Sequence, residues 1–285
     1  MKTPLLLVAG YLGAGKTTLL KHILKNTGKK VAILMNEFGE IGIDTIEIQK
    51  ENVAVKELLE GCVCCSLQGE LEAGLKEIIN DYNPDIVIVE TTGIAEADNL
   101  VLGIDRDIDF VSLDAVVTVV DGDIMQRFPD VSGSAEIQIR AADLLLLNKI
   151  DLIDNLSDIK EKLHRINPRA PIIETDHCKV DLKILLSVEA DHHHITKSHP
   201  HHHMESFSLE TKEITESKLR HFLETLPLEV FRVKGYIDIN GINHLINYVG
   251  GRITIEEAEG KNVLVFIGEG IKKKKNEIVL NLKPA

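Results

Sequence analysis

The sequence predicts an α/β domain with a mostly parallel sheet that carries helices on both faces, followed by a small α+β domain. Short apolar runs alternate with amphipathic stretches over about the first 188 of the 285 residues. Such alternation is typical of a parallel sheet whose strands are joined by helices. The composition then changes abruptly at residues 192–203, and a shorter set of strands and helices is expected beyond that point.

In the first domain, placed at residues 1–188, apolar runs indicate buried strands and a 3.6-residue periodicity indicates helices. The predicted strands are 5–9, 31–35, 85–89, 115–120, 144–147 and 171–174. The predicted helices are 17–26, 70–80, 135–142 and 156–165, the last closed by Asn167-Pro168.

Residues 189–204 are predicted to be a linker, because this polar segment holds seven of the twelve histidines. Clustered imidazoles bind metals, so the segment either collects metal ions at low affinity or is only a solvated connection. The second domain, 205–285, is expected to contain a helix at 216–226. The other elements expected there are an ordered segment at 207–214 and strands at 230–239, 252–256 and 263–266. The basic run 272–275 is expected to be a solvated loop.

Charge and composition exclude some classes of function. The formal net charge of −13 argues against a nucleic-acid partner, because phosphate backbones require a basic surface. No segment is long and apolar enough to suggest a membrane partner, and the N-terminal apolar run is too short for a signal sequence. We therefore expect a cytoplasmic protein whose thiols stay reduced, so that clustered cysteines would form a metal or redox site rather than disulfides.

Residues 10–17, Gly-Tyr-Leu-Gly-Ala-Gly-Lys-Thr, match the GxxxxGKT phosphate-binding motif between a predicted strand and a predicted helix. Glycines allow the backbone to turn tightly and to direct its amides at phosphate oxygens. Lys16 is expected to reach the β and γ phosphates, and Thr17 to bind Mg²⁺. The residues predicted to bind the phosphates are Gly10, Gly13, Ala14, Gly15, Lys16, Thr17 and Thr18.

Two further motifs follow predicted strands. Asn148-Lys149-Ile150-Asp151 places a carboxylate where it can accept from guanine N1 and N2, which predicts GTP rather than ATP. Glu90 ends an apolar strand, where a carboxylate would organise Mg²⁺, and the amide of Gly93 could donate to the γ-phosphate.

Three cysteines, Cys62, Cys64 and Cys65, lie within four positions of a chain that has one other, Cys178. Closely spaced thiolates suit Zn²⁺, Co²⁺ or Ni²⁺. The alternative is a structural role, which is common for single buried cysteines. Cys178 stands alone beside His177 and is expected to be a packing residue.

The motifs at 10–18, Asn-Glu-Phe-Gly at 36–39, Gly-Cys-Val-Cys-Cys at 61–65, Glu-Thr-Thr-Gly at 90–93 and 148–151 together resemble the CobW family of GTPases. That family is related to the urease and hydrogenase nickel-insertion GTPases. Residues 230–236 and 244–252 resemble its C-terminal domain.

The resemblance implies that Cys62, Cys64 and Cys65 bind a transition metal and that Glu37 is a metal or nucleotide-linked ligand. It implies a GTP-dependent metallochaperone that uses GTP, Mg²⁺ and a cargo of Zn²⁺, Co²⁺ or Ni²⁺, and that serves a client metalloenzyme. Lys16, Glu37 and Glu90 are then the expected catalytic residues.

Several alternatives stay open. Either Glu37 or Asp44 could orient the hydrolytic water. One alternative for the oligomeric state is a homodimer that forms only with bound nucleotide or metal. The competing functions are a non-catalytic metal buffer or sensor with a structural nucleotide, and a P-loop nucleotide kinase.

Overall fold

The computed structural model describes residues 2–35, 53–57, 67–91, 104, 108–128, 133–186 and 204–282. It forms two compact units, one of Met1–Pro168 with Ile172–Leu182 and one of Arg169–Pro171 with Lys183–Ala285. Because residues 187–203 lie outside the described part, the domain boundaries at 188 and 205 stay predictions.

The first unit contains a seven-stranded sheet in the order β3-β2-β4-β1-β5-β6-β7. Every pairing in it is parallel. Its strands are β1 (Thr3–Gly10), β2 (Val31–Met35), β3 (Val53–Glu57), β4 (Ile86–Glu90), β5 (Val111–Asp121), β6 (Leu144–Asn148) and β7 (Ile172–Thr175). The helices of this unit are α1 (Lys16–Asn26), α2 (Leu67–Tyr82), α3 (Gly122–Arg127), α4 (Gly133–Ala141) and α5 (Leu156–Ile166). The next helix, α6 (Leu182–Leu186), has all but its first residue in the second unit. The predicted α/β class is confirmed.

Strand β1 lies at the centre of this sheet. Its residues Leu5 to Ala9 are 0% exposed, because β1 is paired on both edges and packed on both faces. Because both faces of β1 are buried, its sequence is continuously apolar and does not alternate between apolar and polar residues. Helix α1 packs its apolar side through Leu19, Leu20, Ile23 and Leu24.

The second unit contains a five-stranded antiparallel sheet in the order β11-β10-β9-β12-β8. Its elements are β8 (Met204–Glu210), α7 (Glu216–Glu224), β9 (Val230–Ile239), β10 (Ile242–Val249), β11 (Arg252–Glu257), β12 (Val263–Glu269) and α8 (Ile271–Leu282). Phe266 lies at the centre of its core, stacked on Phe207 at 4.8 Å and edge-on to Phe222 at 6.2 Å between ring centroids.

A fully buried arginine stabilises one part of this second unit. Arg232 on β9 is 0% exposed, and its guanidinium donates to the carbonyl oxygen of Ile184 at 2.7 Å and to Asn247 Oδ1 at 3.2 Å. Ile184 belongs to α6, so the arginine satisfies a carbonyl of a helix whose last turn has no intrahelical donors. A buried cation of this kind is retained only with such partners.

The expectation of a loop at 272–275 is wrong, because these lysines form the first turns of α8. Two carboxylates from distant parts of the chain offset the unfavourable placement of lysines at a helix N-terminus. Glu205 accepts from the Lys272 amide at 2.9 Å, and Glu229 accepts from Lys274 Nζ at 2.6 Å. None of the helices in the described residues is long and apolar enough to cross a bilayer.

Candidate functional site

The predicted motifs that the structure describes lie at one edge of the parallel sheet, because all seven strands end there. The register aligns Gly10 with Val119, and it aligns Asp121 with Asn148 and Thr175. The chain runs from β1 to β2 on one side of the sheet and from the adjacent β5 to β6 on the other, and open α/β sheets bind ligands at such a switch point. The site is therefore centred on the end of β1.

The loop between β1 and α1 is closely packed against neighbouring strands. Gly10 has φ +143°, and a Cβ there would lie 2.5 Å from the carbonyl oxygen of Val119. Gly15 has φ +117°, and a Cβ there would lie 2.5 Å from Asn148 Nδ2. Both positions require glycine, for backbone conformation and for space.

Lys16 is nearly buried, at 8% exposure, and its ammonium points back into this loop. It donates to the carbonyl oxygens of Gly10 at 2.8 Å and Tyr11 at 3.2 Å. Its Nζ lies 4.0 Å from a carboxylate oxygen of Glu90, too far for a direct hydrogen bond. A cation held in this way suits an anionic ligand.

Helix α1 begins at Lys16 without a capping side chain. Its N-cap residue, Gly15, makes no side-chain hydrogen bond, and the first turn holds no acidic residue. No capping side chain or acidic first-turn residue therefore competes with an anion at this positive end of the helix. Together with Lys16 and the two constrained glycines, the loop fits the phosphates of a nucleotide.

Asn148, in the motif predicted to recognise guanine, is hydrogen-bonded to the loop between β1 and α1. Its Nδ2 donates to the carbonyl oxygen of Ala14 at 2.9 Å, and its Oδ1 accepts from the Cys178 amide at 2.9 Å and from Thr175 Oγ1 at 3.2 Å. Asn148 is 3% exposed. The amide orientation is therefore fixed from both sides.

Lys149 and Asp151 occupy the same loop with different surroundings. Lys149 has a left-handed backbone (φ +61°), and its Nζ donates to Asp121 Oδ2 at 2.6 Å. Asp121 also caps α3 by accepting from the Ile124 amide at 3.1 Å. Asp151 is exposed, so its carboxylate is accessible to a base.

Glu90 ends β4 beside the phosphate loop, paired with Val8 of β1 and with Met35 of β2. Its side chain is 15% exposed. The next residue, Thr91, donates its amide to the carbonyl oxygen of Val8 at 3.0 Å. The carboxylate therefore lies beside the phosphate loop, one strand from β1.

The residues predicted to bind the phosphates lie together at the end of β1, in the following loop and in the first turn of α1: Gly10, Gly13, Ala14, Gly15, Lys16, Thr17 and Thr18. The predicted residues Glu37, Cys62, Cys64, Cys65 and Gly93, together with Asp44 and residues 192–203, lie outside the described residues. Within the described ranges, no group of three or more His, Cys, Asp or Glu side chains is arranged to hold a metal ion.

Four partners of the site were not predicted as such. Thr175 and Cys178 hold Asn148, and Asp121 holds Lys149. Tyr11 in the phosphate loop also hydrogen-bonds Ser134 of α4. Each of these contacts joins residues far apart in sequence, and only Asp121 carried a local signal, as the polar end of an apolar strand.

The family comparisons agree with this architecture. The model of the CobW/HypB/UreG nucleotide-binding domain matches residues 4–174. The chain belongs to this family. A second model, the cobalamin synthesis protein cobW C-terminal domain, matches residues 204–281. The predicted membership in this group of P-loop GTPases is thus confirmed.

Curated relatives cover the CobW-like chain to different extents. The zinc chaperone YjiA of Escherichia coli K12 is 34% identical over 64% of this chain and 60% of its own length. The zinc chaperone CobW of a Sinorhizobium species is 31% identical over 88% of this chain and 86% of its own. The zinc-regulated GTPase metalloprotein activator 1 of Schizosaccharomyces pombe is 39% identical over 62% of this chain and 47% of its own length. This chain therefore spans less than two thirds of two of these three relatives.

Among solved structures, a Zn(II)-bound triple mutant of the YjiA GTPase covers 100% of both chains at 23% identity, with a TM-score of 0.52. This similarity supports the fold of the CobW-like chain.

Proposed function

We propose that this protein hydrolyses GTP and uses the bound nucleotide to control a transition-metal site at residues 62–65, from which metal passes to a client metalloprotein. The names of the relatives, zinc chaperones and a zinc-regulated GTPase metalloprotein activator, support zinc as the cargo. Thiolate chemistry alone also accommodates Co²⁺ and Ni²⁺.

One observation carries the proposal: the last residues of β4, β2 and β3 are aligned with one another beside β1. Val8, Glu90, Met35 and Glu57 are paired across β1, β4, β2 and β3. The segment that contains Glu37 starts directly after Met35, and the segment that contains the three cysteines starts directly after Glu57. Neighbouring strands are about 4.8 Å apart, so both segments start within roughly 10 Å of Glu90.

The nucleotide would bind through residues with distinct roles. The amides of the phosphate loop and the Lys16 ammonium would bind the phosphates, and Asp151 would accept from guanine. The hydroxyl of Thr17 and the carboxylate of Glu90 are oxygen donors of the kind that Mg²⁺ prefers. Bound Mg²⁺ would neutralise charge on the β and γ phosphates.

Nucleotide binding and metal binding would be coupled because both proposed sites lie at the same edge of the parallel sheet. A γ-phosphate bound beside Glu90 would favour one arrangement of the segments after Met35 and Glu57, as in GTPase switches. Metal affinity would rise with GTP and fall after hydrolysis. Linkage then requires that metal raise GTP affinity by the same factor.

The deciding experiment is a competitive titration with Zn²⁺ and Co²⁺, with and without Mg²⁺ and a non-hydrolysable GTP analogue. We expect tighter metal binding with the analogue, and loss of this effect in Cys64→Ala/Cys65→Ala. The matched ligand control is the corresponding ATP analogue, which should leave metal affinity unchanged.

Equal metal affinity with and without the GTP analogue would refute nucleotide control. Phosphate release should be measured in parallel across metal concentrations. Its complete absence would favour the metal buffer, and phosphate transfer to a small acceptor would favour the kinase.

A further inference from the structure

Cys178 is fully buried beneath the phosphate loop, 163 residues away from it in sequence. Its amide donates to Asn148 Oδ1 at 2.9 Å, and its thiol donates to the carbonyl oxygen of Gly15 at 3.3 Å. The side chain thus contacts the loop directly and through Asn148.

These contacts act on two consecutive peptide groups. The carbonyl of Ala14 accepts from Asn148 Nδ2 at 2.9 Å, and the carbonyl of Gly15 accepts from both the Cys178 thiol and the Leu19 amide, the latter at 2.8 Å. In a planar trans peptide the C=O and N–H bonds point in opposite directions. Fixing the two carbonyls therefore directs the amides of Gly15 and Lys16 to the opposite side.

Those two amides are among the donors that a GxxxxGK loop uses for phosphate oxygens. We infer that Cys178 is a positioning residue for phosphate binding: its thiol holds the Gly15–Lys16 peptide so that the Lys16 amide faces the phosphates before nucleotide arrives. The inference rests on the proposed function for the identity of the ligand, a phosphorylated guanosine.

The backbone at Cys178 supports this role. Both His177 and Cys178 have φ +52°, a left-handed conformation that is costly for side chains with a Cβ and free for glycine. A glycine at 178 would keep the amide bond to Asn148 without strain, so the cysteine is explained by its side chain, which is buried and donates to the carbonyl oxygen of Gly15. Burial raises the pKa of the thiol to about 12, which keeps it protonated and able to donate at neutral pH.

The test compares Cys178→Gly, Cys178→Ala and Cys178→Ser in the full chain. Glycine relieves the strained backbone and removes the donor, alanine removes the donor alone, and serine retains a hydroxyl donor. Dissociation constants are measured for GTP, GDP and guanosine. We expect glycine and alanine to weaken GTP and GDP binding about three- to tenfold, as for loss of one hydrogen bond, with guanosine unchanged and serine close to wild type.

Equal weakening of guanosine and GTP would overturn the inference, because the thiol would then support only the base-binding loop. Unchanged GTP binding in Cys178→Gly would overturn it as well.

A second readout is independent of nucleotide binding. The NMR shift of the Lys16 amide in the nucleotide-free protein should move in the glycine variant and be largely restored in the serine variant. No movement would contradict the contact. If wild-type protein binds neither GTP nor GDP, the proposed function fails while this measurement still tests the positioning by Cys178.

Discussion

Asn148 donates to the carbonyl oxygen of Ala14 at 2.9 Å across 134 residues of sequence. This hydrogen bond joins the motif predicted to recognise guanine to the loop predicted to hold phosphates. Each motif is thus part of the other's structural support, and a change in one should be measurable in the other.

Replacing Asn148 should cost both stability and nucleotide affinity. Asn148→Ala leaves the buried Cys178 amide, the Thr175 hydroxyl and the Ala14 carbonyl without this partner. We expect a loss of about 3 kcal/mol in the free energy of unfolding, measured by urea titration with far-UV circular dichroism. The control is Asn155→Ala, an exposed N-cap of α5, with an expected loss of about 1 kcal/mol. Equal losses in the two variants would contradict the network.

Gly10 should tolerate no side chain. In Gly10→Ala the new Cβ would meet the Val119 carbonyl oxygen at 2.5 Å, so β1 and β5 would have to separate. We expect a destabilisation of about 2 kcal/mol or more and a marked loss of GTP binding. Gly28→Ala is the matched control: its Cβ would have no neighbour within 4 Å, and the change should be neutral or slightly stabilising. Thermal unfolding of both variants distinguishes these outcomes.

Arg232 should be far more important for stability than an exposed arginine. Arg232→Met removes the donors to Ile184 and Asn247 within a buried site, which we expect to cost about 2 kcal/mol. Arg220→Met breaks an exposed ion pair with Glu216 on α7 and should cost less than about 0.5 kcal/mol. Because the chain has two compact units, the denaturation curve should be fitted for two transitions. Similar losses in both variants would disprove the structural role of Arg232.

The buried thiol of Cys178 should make stability fall at alkaline pH. Burial raises its pKa from 9.0 to about 12, with Lys149 acting in the opposite direction. Above pH 9 the unfolded chain loses this proton while the folded protein keeps it. The stabilisation is therefore complete below about pH 9 and is lost as pH rises toward 12, by up to about 1.4 kcal/mol per pH unit.

Tyr82 and Tyr248, whose pKa values are also raised by burial, contribute to the same alkaline range. The measurement is therefore the difference in unfolding free energy between wild type and Cys178→Ala from pH 8 to 10.5. A difference that does not change with pH would show that the thiol does not titrate as expected.

Local sequence patterns predicted much of the first unit. The apolar run 5–9 and the loop 10–17 identified the central strand and the phosphate loop, because a strand buried on both faces and a glycine-rich turn both leave local signatures. The short strand β3 and the six-residue helix α3 were not predicted, since their patterns are too brief to distinguish from loops.

The remaining errors and omissions depend on contacts between distant residues. The lysine run 272–275 has no apolar periodicity of its own, and its helical start is stabilised by Glu205 and Glu229, which lie 67 and 45 residues away. Likewise, Cys178 was expected to pack, and it does, but its hydrogen bond to Gly15 could be found only once the two segments were folded together.

The alignment of Val8, Glu90, Met35 and Glu57 also bears on how this sequence can diverge. Insertions or deletions within residues 40–52 would spare the strand ends and the motifs at 36–39 and 61–65, whereas deleting one residue inside β2 would invert the faces of its side chains. Lineages descended from a common ancestor should therefore accumulate length changes within 40–52 while strand lengths stay fixed.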